Sequence, residues 1–484
     1  MKLQTVSTTE NYTTVVYITD ETTNWEHLPL NSSESYYIQQ QIEKKVFTNT
    51  LNRYTNTLII VYLDKSKSPT ESRFLENCRM SGAEITNFCN RNKFSSIAVA
   101  NESDKHNAAN AFVEGMYLAN YQFIHHRKDA ATIKNALSEI AVLEDAMTKA
   151  ELAELQHVLE GVCYARNLIN EPLNYMTATD LANAMEKMCK ESKCKVSVLH
   201  KSQIEKEKMG GLLAVNRGSI DPPTFTIIEW KPKNAVNKQP IVLIGKGVVF
   251  DTGGLSLKPT PNSMDYMKCD MAGAAGVAGA MYAISKNKLP IHVVGLVPAT
   301  DNRPGVKAYV PGDIIAMRSG MTVEMLNADA EGRMILADAL DYAKQYKPEL
   351  VIDIATLTGA LLYILGAHGI GLMSNTDHKD KQDLIEASHR VYERCHELPM
   401  WEEYRDMMKS DIADIRNVPN VAGQAGTITA GKFLEAFTDY PWIHLDIAGI
   451  AWNHSNNGYR IKGGEGSGVR LFYEFLKNRC QLKD

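Results

Sequence analysis

The sequence predicts an α/β protein made of two α/β domains. Two observations set that class. Short apolar, β-branched runs alternate with stretches whose apolar residues recur at helical spacing, and they do so in both halves of the chain. A long helical pattern, closed by Asn170-Glu171-Pro172, separates the halves, and 484 residues suit two or three domains of about 150.

In the first half, residues 15–19, 57–63 and 95–100 read as strands, and residues 107–121 as a helix. This half, residues 1–147, has no cluster of His, Cys or carboxylates at ligand spacing and reads as a non-catalytic α/β domain. Residues 148–170 form a connecting helix, ended by Pro172, which disfavours helix at the residue before it. From 171 to 484 the alternation resumes. Strands are expected at 224–230, 241–250, 292–297, 350–354 and 443–447, and helices at 271–286, 334–345 and 432–437. The polar segment 231–240 reads as a hairpin or loop.

Composition narrows the function. Apolar residues at 44% and charged residues at 23% exclude a disordered chain, a collagen and a small disulfide scaffold. With 52 Lys+Arg against 57 Asp+Glu, 52 − 57 = −5, the chain offers nucleic acid no general attraction, so nucleic acid is not an expected partner. No run reaches the ~18 apolar residues of a membrane span, and the first residues lack the apolar core of a secretory signal. The eight cysteines are scattered with no C-x-x-C pair, which points to free thiols in a reducing cytoplasm.

Several familiar signatures begin and then fail. His396-Glu397 opens H-E-x-x-H, but Met400 takes the place of the second imidazole. The stretch from Gly426 to Gly431-Lys432 matches G-x-x-x-x-G-K, but Phe433 replaces the Mg²⁺-holding hydroxyl residue. Gly245-Lys246-Gly247 starts G-x-G-x-x-G, but Phe250 blocks the approach to a pyrophosphate. There is no G-x-S-x-G, and the His125-His126 pair has no carboxylate motif beside it.

Three pieces between Gly245 and Arg333 do fit together. In the first, an apolar strand carries Lys246, ends in Asp251 and enters the Gly253-Gly254 turn, with Lys258 seven residues after Asp251. A Lys in an apolar strand snorkels from a sheet edge, meets compensating carboxylates or is deprotonated by a metal. The second is Met267-Lys268-Cys269-Asp270, ahead of a helix of small residues, where Asp270 is either an N-cap or a ligand. The third is Asn327-Ala328-Asp329-Ala330-Glu331-Gly332-Arg333. In extended geometry Asp329 and Glu331 point the same way and can converge on one point; otherwise they complement the dipole of the following helix. Asp251, Asp270, Asp329 and Glu331 together supply about −4, which two divalent cations would neutralise. A neutral Lys246 nitrogen among the ligands favours zinc or another transition ion.

These segments resemble the leucyl aminopeptidase (cytosol aminopeptidase) family of dinuclear metallopeptidases, peptidase family M17. The likeness runs through residues 245–258, 267–270, 327–333 and 353–360, and continues at 166–172, 209–215, 446–449 and 466–470. It implies a C-terminal catalytic domain, residues 171–484, with a mixed sheet flanked by helices and carrying a dinuclear metal site. The implied reaction removes the N-terminal residue, leucine-like but broad, from peptides with a free α-amine, using hydroxide bound by two metals and bicarbonate as general base. By the same resemblance, Lys246, Asp251, Asp270 and Glu331 hold the tighter metal, with zinc expected. Asp251, Asp329 and Glu331, with the Asp329 carbonyl, hold an exchangeable one that accepts Mn, Mg or Co. Lys258 stabilises the developing oxyanion, and Arg333 with backbone near Leu357 binds bicarbonate. Met267, Thr356, Gly359 and Ala448 line the side-chain pocket, and the assembly is a homohexamer.

This chain departs from the family pattern at four points. Ala328 and Met334 stand for the usual Thr and Leu, and neither is a ligand. The segment between Lys258 and Asp270 is one residue longer than in some relatives. Glu465 replaces a common Thr. Ala451 stands where some members place a pocket-lining Met, which implies a roomier pocket. Two other classes compete with a peptidase: a two-metal phosphoesterase, which Lys246 and Lys258 around Asp251 disfavour, and a DNA-binding role, which the net charge does not support.

Overall fold

The computed structural model describes residues 1–376 and 378–481. They divide into two compact units, Met1–Leu159 with Ser455–Lys462, and Glu160–His454 with the chain from Gly463 on. The cut falls inside helix Lys149–Asn170.

The first unit is built on a six-stranded sheet. Its strands run in the order Lys2–Val6, Glu139–Leu143, Ser96–Asn101, Thr14–Thr19, Thr57–Tyr62 and Thr48–Asn52. Every pairing is parallel except the last. Three inner strands, Ser96–Asn101, Thr14–Thr19 and Thr57–Tyr62, match the expected runs, while the fourth, Glu139–Leu143, was not expected. The edge strands Lys2–Val6 and Thr48–Asn52 were not expected, because with one neighbour and one solvated side they carry polar sequences, KLQTV and TNTLN. Helices Glu71–Arg91 and His106–Ala119 touch backbone to backbone. A Cβ on Gly82 would lie 2.1 Å from Phe112 O, and one on Gly115 2.0 Å from Arg79 O. Segment Ser455–Lys462 joins this unit through Glu76, which accepts from Tyr459 Oη at 2.9 Å and Arg460 Nη1 at 2.7 Å.

The second unit carries a nine-stranded mixed sheet. Its parallel centre is Trp442–Asp446, Leu350–Ala355, Ile241–Gly245 and Val293–Asn302. Antiparallel neighbours Ile370–Ser374 and Thr224–Trp230 flank that centre. Residues Ile241 to Ile244 are wholly buried, as a central strand covered on both faces requires. The small-residue helix Ala272–Lys286 lies directly on this sheet: a Cβ on Gly273 would come 2.1 Å from Ile354 O.

The expected single strand 241–250 is broken at Lys246. Ile241–Gly245 pairs on both sides, whereas Gly247–Asp251 pairs only with Val293–Asn302 and shifts register between Val248 and Asp251. Lys246 keeps its own backbone bonds, donating to Ile354 O at 3.1 Å and accepting from Ala274 N at 2.9 Å. The break therefore costs no hydrogen bond and carries the following residues off the sheet path, a bulge-like device that re-aims side chains. The G-x-x-x-x-G-K stretch is part of helix Gly426–Glu435, and its Lys432 is buried on Glu402 and Glu435, so it forms no phosphate loop. No described helix is long and apolar enough to cross a membrane. All eight cysteines are free thiols.

Candidate metal centre

The chain arrives at the site from several directions. Asp251 ends the strand Gly247–Asp251 and enters a turn that needs glycine, since Gly253 and Gly254 have φ of +84° and +58°. Asp251 Oδ1 accepts from Gly253 N and Asn302 Nδ2, each at 2.8 Å, so one oxygen is pinned and the other faces the site. Asp270 sits on the 3₁₀ segment Met264–Met271. Asp329 and Glu331 fall between strand Thr322–Met325 and helix Gly332–Ala343.

The alternatives of capping and snorkelling do not hold. Helix Ala272–Lys286 begins at Met271 with no side-chain cap, so Asp270 does not cap it. Glu331 occupies the cap position of the next helix without a capping hydrogen bond. Lys246 is 3% exposed beside a central strand and reaches no water-facing edge. Its Nζ instead lies 2.7 Å from Asp270 Oδ1 and 2.8 Å from Glu331 Oε1, and donates to Thr356 O at 2.9 Å. Lys258 Nζ lies 2.9 Å from Asp251 Oδ2 and also pairs with Asp329 Oδ1. Carboxylate oxygens of Asp251, Asp329 and Glu331 lie within 4.8 Å of one another. A Cβ at position 332 would meet Lys246 Cε at 2.4 Å, so Gly332 is what lets the lysine pass beside Glu331.

Such a cluster is electrostatically costly by itself. Burial, with Glu331 and Asp251 adding to it, pushes the Asp270 carboxyl well above the usual carboxylate range against the pull of Lys246. Burial and the same two neighbours push Asp329 up to about 7. Burial alone would depress the Lys246 ammonium, but Asp270, Glu331 and Asp251 outweigh it and raise it. A neutral amine at Lys246 therefore requires cations to take up the carboxylate charge. Asp270 Oδ2 and Glu331 Oε2 are buried with no hydrogen-bond partner among the described residues. Oxygens left unsatisfied in a buried, anion-rich site are what divalent cations would satisfy, so the donor set fits such ions.

Arg333 is buried beside the cluster, and burial lowers its guanidinium to about 10. Its Nη1 donates to Asn417 O at 2.7 Å, while Nε has no hydrogen-bond partner among the described residues. A buried guanidinium with an open donor suits an anion. The Leu357 N–H is held by Asp446 Oδ1 at 3.2 Å. Asn417 in turn holds Leu326 N at 2.8 Å and Asn327 O at 2.8 Å, locking the loop that presents Asp329.

These groups open into a cavity of about 890 Å³. Met267, Thr356, Gly359 and Ala448 all line it. Ala451 does not: it is 1% exposed, and the wall next to it is made by Trp452 and His454 with Tyr266. Tyr266 stacks on Trp452 with centroids 6.4 Å apart and meets His454 edge-on at 5.0 Å. Sequence reasoning missed this aromatic wall, and also Asn302 and Asn417. Trp452 directly follows Ala451, so the residue beside the expected pocket position was the available signal.

Residues 163–473 match the model of the cytosol aminopeptidase family, catalytic domain. The chain belongs to the cytosol aminopeptidase family. It is 46% identical over 381 residues to a probable cytosol aminopeptidase of Chlorobium limicola, covering 76% of this chain and 74% of that one. It is 43% identical over 392 residues to one of Roseiflexus castenholzii, covering 80% and 79%. Among solved structures it is similar to the bottromycin maturation enzyme BotP in complex with Mn, with a TM-score of 0.84, 28% identity and coverage of 97% and 99%. As a cytosol aminopeptidase family member it is a metallo-exopeptidase, a metal-dependent hydrolase of peptide N-termini. Within that family the carboxylate and lysine cluster of this chain is suited to divalent cations.

Proposed function

We propose that this family member releases leucine-like and other large apolar N-terminal residues from peptides through a two-metal site assisted by bicarbonate. The observation that carries this reading is the cluster of buried Asp251, Asp270 and Glu331 with the half-buried Asp329, threaded by Lys246 and Lys258 and open to a peptide-sized cavity. Lys246, Asp251, Asp270 and Glu331 would hold the tighter ion, zinc by choice of donors. Asp251, Asp329 and Glu331 would hold an exchangeable one, for which Mn, Mg or Co also serve; the manganese complex of BotP supports that latitude. When bound, the ions supply Lewis acidity and an acidified water, and bicarbonate supplies a general base.

The chain's own groups do the rest. Lys258, which pairs with Asp251 and Asp329, lines the cavity and would stabilise the oxyanion once cations compensate those carboxylates. Arg333 holds the bicarbonate through its open guanidinium edge. Met267, Thr356, Gly359 and Ala448 receive the side chain, and Tyr266 and Trp452 extend the apolar surface. The N-terminal domain, residues 1–147, is non-catalytic, the location cytoplasmic and the assembly a homohexamer.

The test is hydrolysis of Leu-p-nitroanilide by purified protein, apo and after adding Zn²⁺ or Mn²⁺, beside the N-acetylated substrate. Metal-dependent cleavage of the free-amine substrate alone is expected; no turnover from a folded, metal-loaded protein overturns the reading. On the same assay Leu, Met and Phe substrates are expected to agree in kcat/KM within about tenfold, because an open apolar pocket discriminates weakly between large side chains. A larger preference for Leu over both would show a narrower pocket.

A further inference from the structure

Charged residues are rare in a central parallel strand, yet two neighbouring strands of the catalytic unit carry three. Leu350–Ala355 and Trp442–Asp446 pair in parallel, with Asp353 opposite His444 and Ala355 opposite Asp446. Asp353, His444 and Asp446 are all 0% exposed. Buried charges at that depth persist when each is compensated and hydrogen-bonded. Asp353 is satisfied first: its Oδ2 accepts from Trp442 Nε1 at 2.6 Å, and its Oδ1 lies 2.5 Å from His444 Nδ1.

Asp446 is tied to something else. Its Oδ1 accepts from Leu357 N at 3.2 Å and Ala448 N at 3.1 Å, and its Oδ2 from Thr358 Oγ1 at 2.6 Å. Thr358 Oγ1 continues to Thr427 Oγ1 at 2.8 Å. One carboxylate thus joins the loop leaving the first strand to the loop leaving the second. Those loops carry Thr356, Gly359 and Ala448 of the side-chain pocket, and Thr356 Oγ1 also donates to Asp270 Oδ1 at 2.7 Å. His444, two residues before Asp446 on the same face of the strand, is a neighbouring titratable group whose Nε2 is buried with no hydrogen-bond partner among the described residues, and Arg333 lies within electrostatic reach. Burial pulls the imidazole down, but Asp353 and Asp446 outweigh it and raise it, with Arg333 opposing. Burial raises Asp446, and His444 pulls it back.

We propose that Asp446 is a positioning residue that sets the two pocket loops relative to each other, and that His444, oriented by Asp353, is the counter-charge that keeps this carboxylate in place. The proposal rests on the aminopeptidase reading for the identity of the pocket. It differs from a purely structural role in one respect: moving these loops alters how the side chain is read more than how the metal site works.

The experiment is a double-mutant cycle of Asp446→Asn and His444→Phe on metal-loaded enzyme, with Asp446→Ala beside it. It reads metal content and kcat/KM on Leu- and Ala-p-nitroanilide. Asp446→Ala is expected to lower kcat/KM about 100-fold on the Leu substrate and about tenfold or less on the Ala substrate, with both ions retained. Asp446→Asn recovers most of that loss, because its Oδ1 still accepts the two N–H groups. His444→Phe costs at least about fivefold more in wild type than beside Asp446→Asn, where no carboxylate needs a counter-charge. Equal losses on both substrates, an additive cycle or lost metal would overturn the proposal. If Asp446→Ala does not fold, the cycle with Asp446→Asn carries the test. Calorimetric binding of L-leucine against L-alanine to the same proteins reads the pocket without turnover. A wild type that hydrolyses neither substrate thus sinks the aminopeptidase reading, while the leucine-to-alanine binding ratio still decides the role of Asp446.

Discussion

Glu331→Gln is expected to abolish aminopeptidase turnover, by at least about 1000-fold, and to leave fewer than two divalent ions per chain by elemental analysis. Glu331 is 1% exposed; Oε1 lies 2.8 Å from Lys246 Nζ and Oε2 has no hydrogen-bond partner among the described residues. The substitution removes one of the four negative charges proposed to hold the ions, at a position proposed to bridge both. It also brings an amide N–H₂ toward an ammonium, or leaves an unpaired buried dipole. The same change relieves repulsion in the metal-free cluster, where Glu331 helps push up Asp270 and Asp329. The metal-free variant is therefore expected to melt no lower than metal-free wild type, while the stabilisation gained by adding Zn²⁺ shrinks. A variant that keeps two ions and wild-type turnover would remove Glu331 from the bridging position.

The parts of the fold that could be read in the sequence are those where burial acts on both faces of an element. Ile241 to Ile244 are wholly buried and form an unbroken apolar run, and three of the four inner strands of the first unit have buried apolar centres; Glu139–Leu143, the fourth, was not read. Thr48–Asn52 and Lys2–Val6 escaped because a sheet edge tolerates polar residues on its free side. The break at Lys246 also escaped. Gly245 and Gly247, residues that mark a bulge inside a strand, flank the break, and the Lys246 side chain between them meets Asp270 and Glu331, 24 and 85 residues away.

The same division runs through the site. Lys246, Asp251, Asp270, Asp329 and Glu331 were legible because charged residues at strand ends, beside glycine turns, contradict a purely structural pattern, and the structure does bring them together. Their supports were not. Asn302 holds Asp251 from 51 residues away and Asn417 holds Leu326 from 91, and an asparagine in a loop or at a strand end carries no local mark of that duty. Ala451 shows the opposite failure. A residue compared by position alone was expected to line the pocket, but it is buried, and the neighbouring Trp452 lines the cavity instead.

Lys258→Ala is expected to reduce kcat on Leu-p-nitroanilide about 100- to 1000-fold while leaving metal content at wild type, the size of effect that follows loss of one preorganised oxyanion donor. In the metal-free cluster burial would depress this ammonium, but Asp251, Glu331 and Asp329 overcome it and raise it. It is 14% exposed and lines the cavity, so its charge acts where water is scarce and counts for more than it would at the surface. Because it carries no metal in the proposed scheme, its loss separates two accounts of the cluster. If Lys258 only offsets carboxylate charge, the ions take over that task in the loaded enzyme and the variant keeps its kcat. If it stabilises charge on the substrate, kcat falls, KM changes little, and Lys258→Arg restores only part of the rate, since a planar guanidinium does not place its donors where a point-like ammonium does. Measuring kcat and KM on metal-loaded Ala and Arg variants therefore decides between charge balance and catalysis.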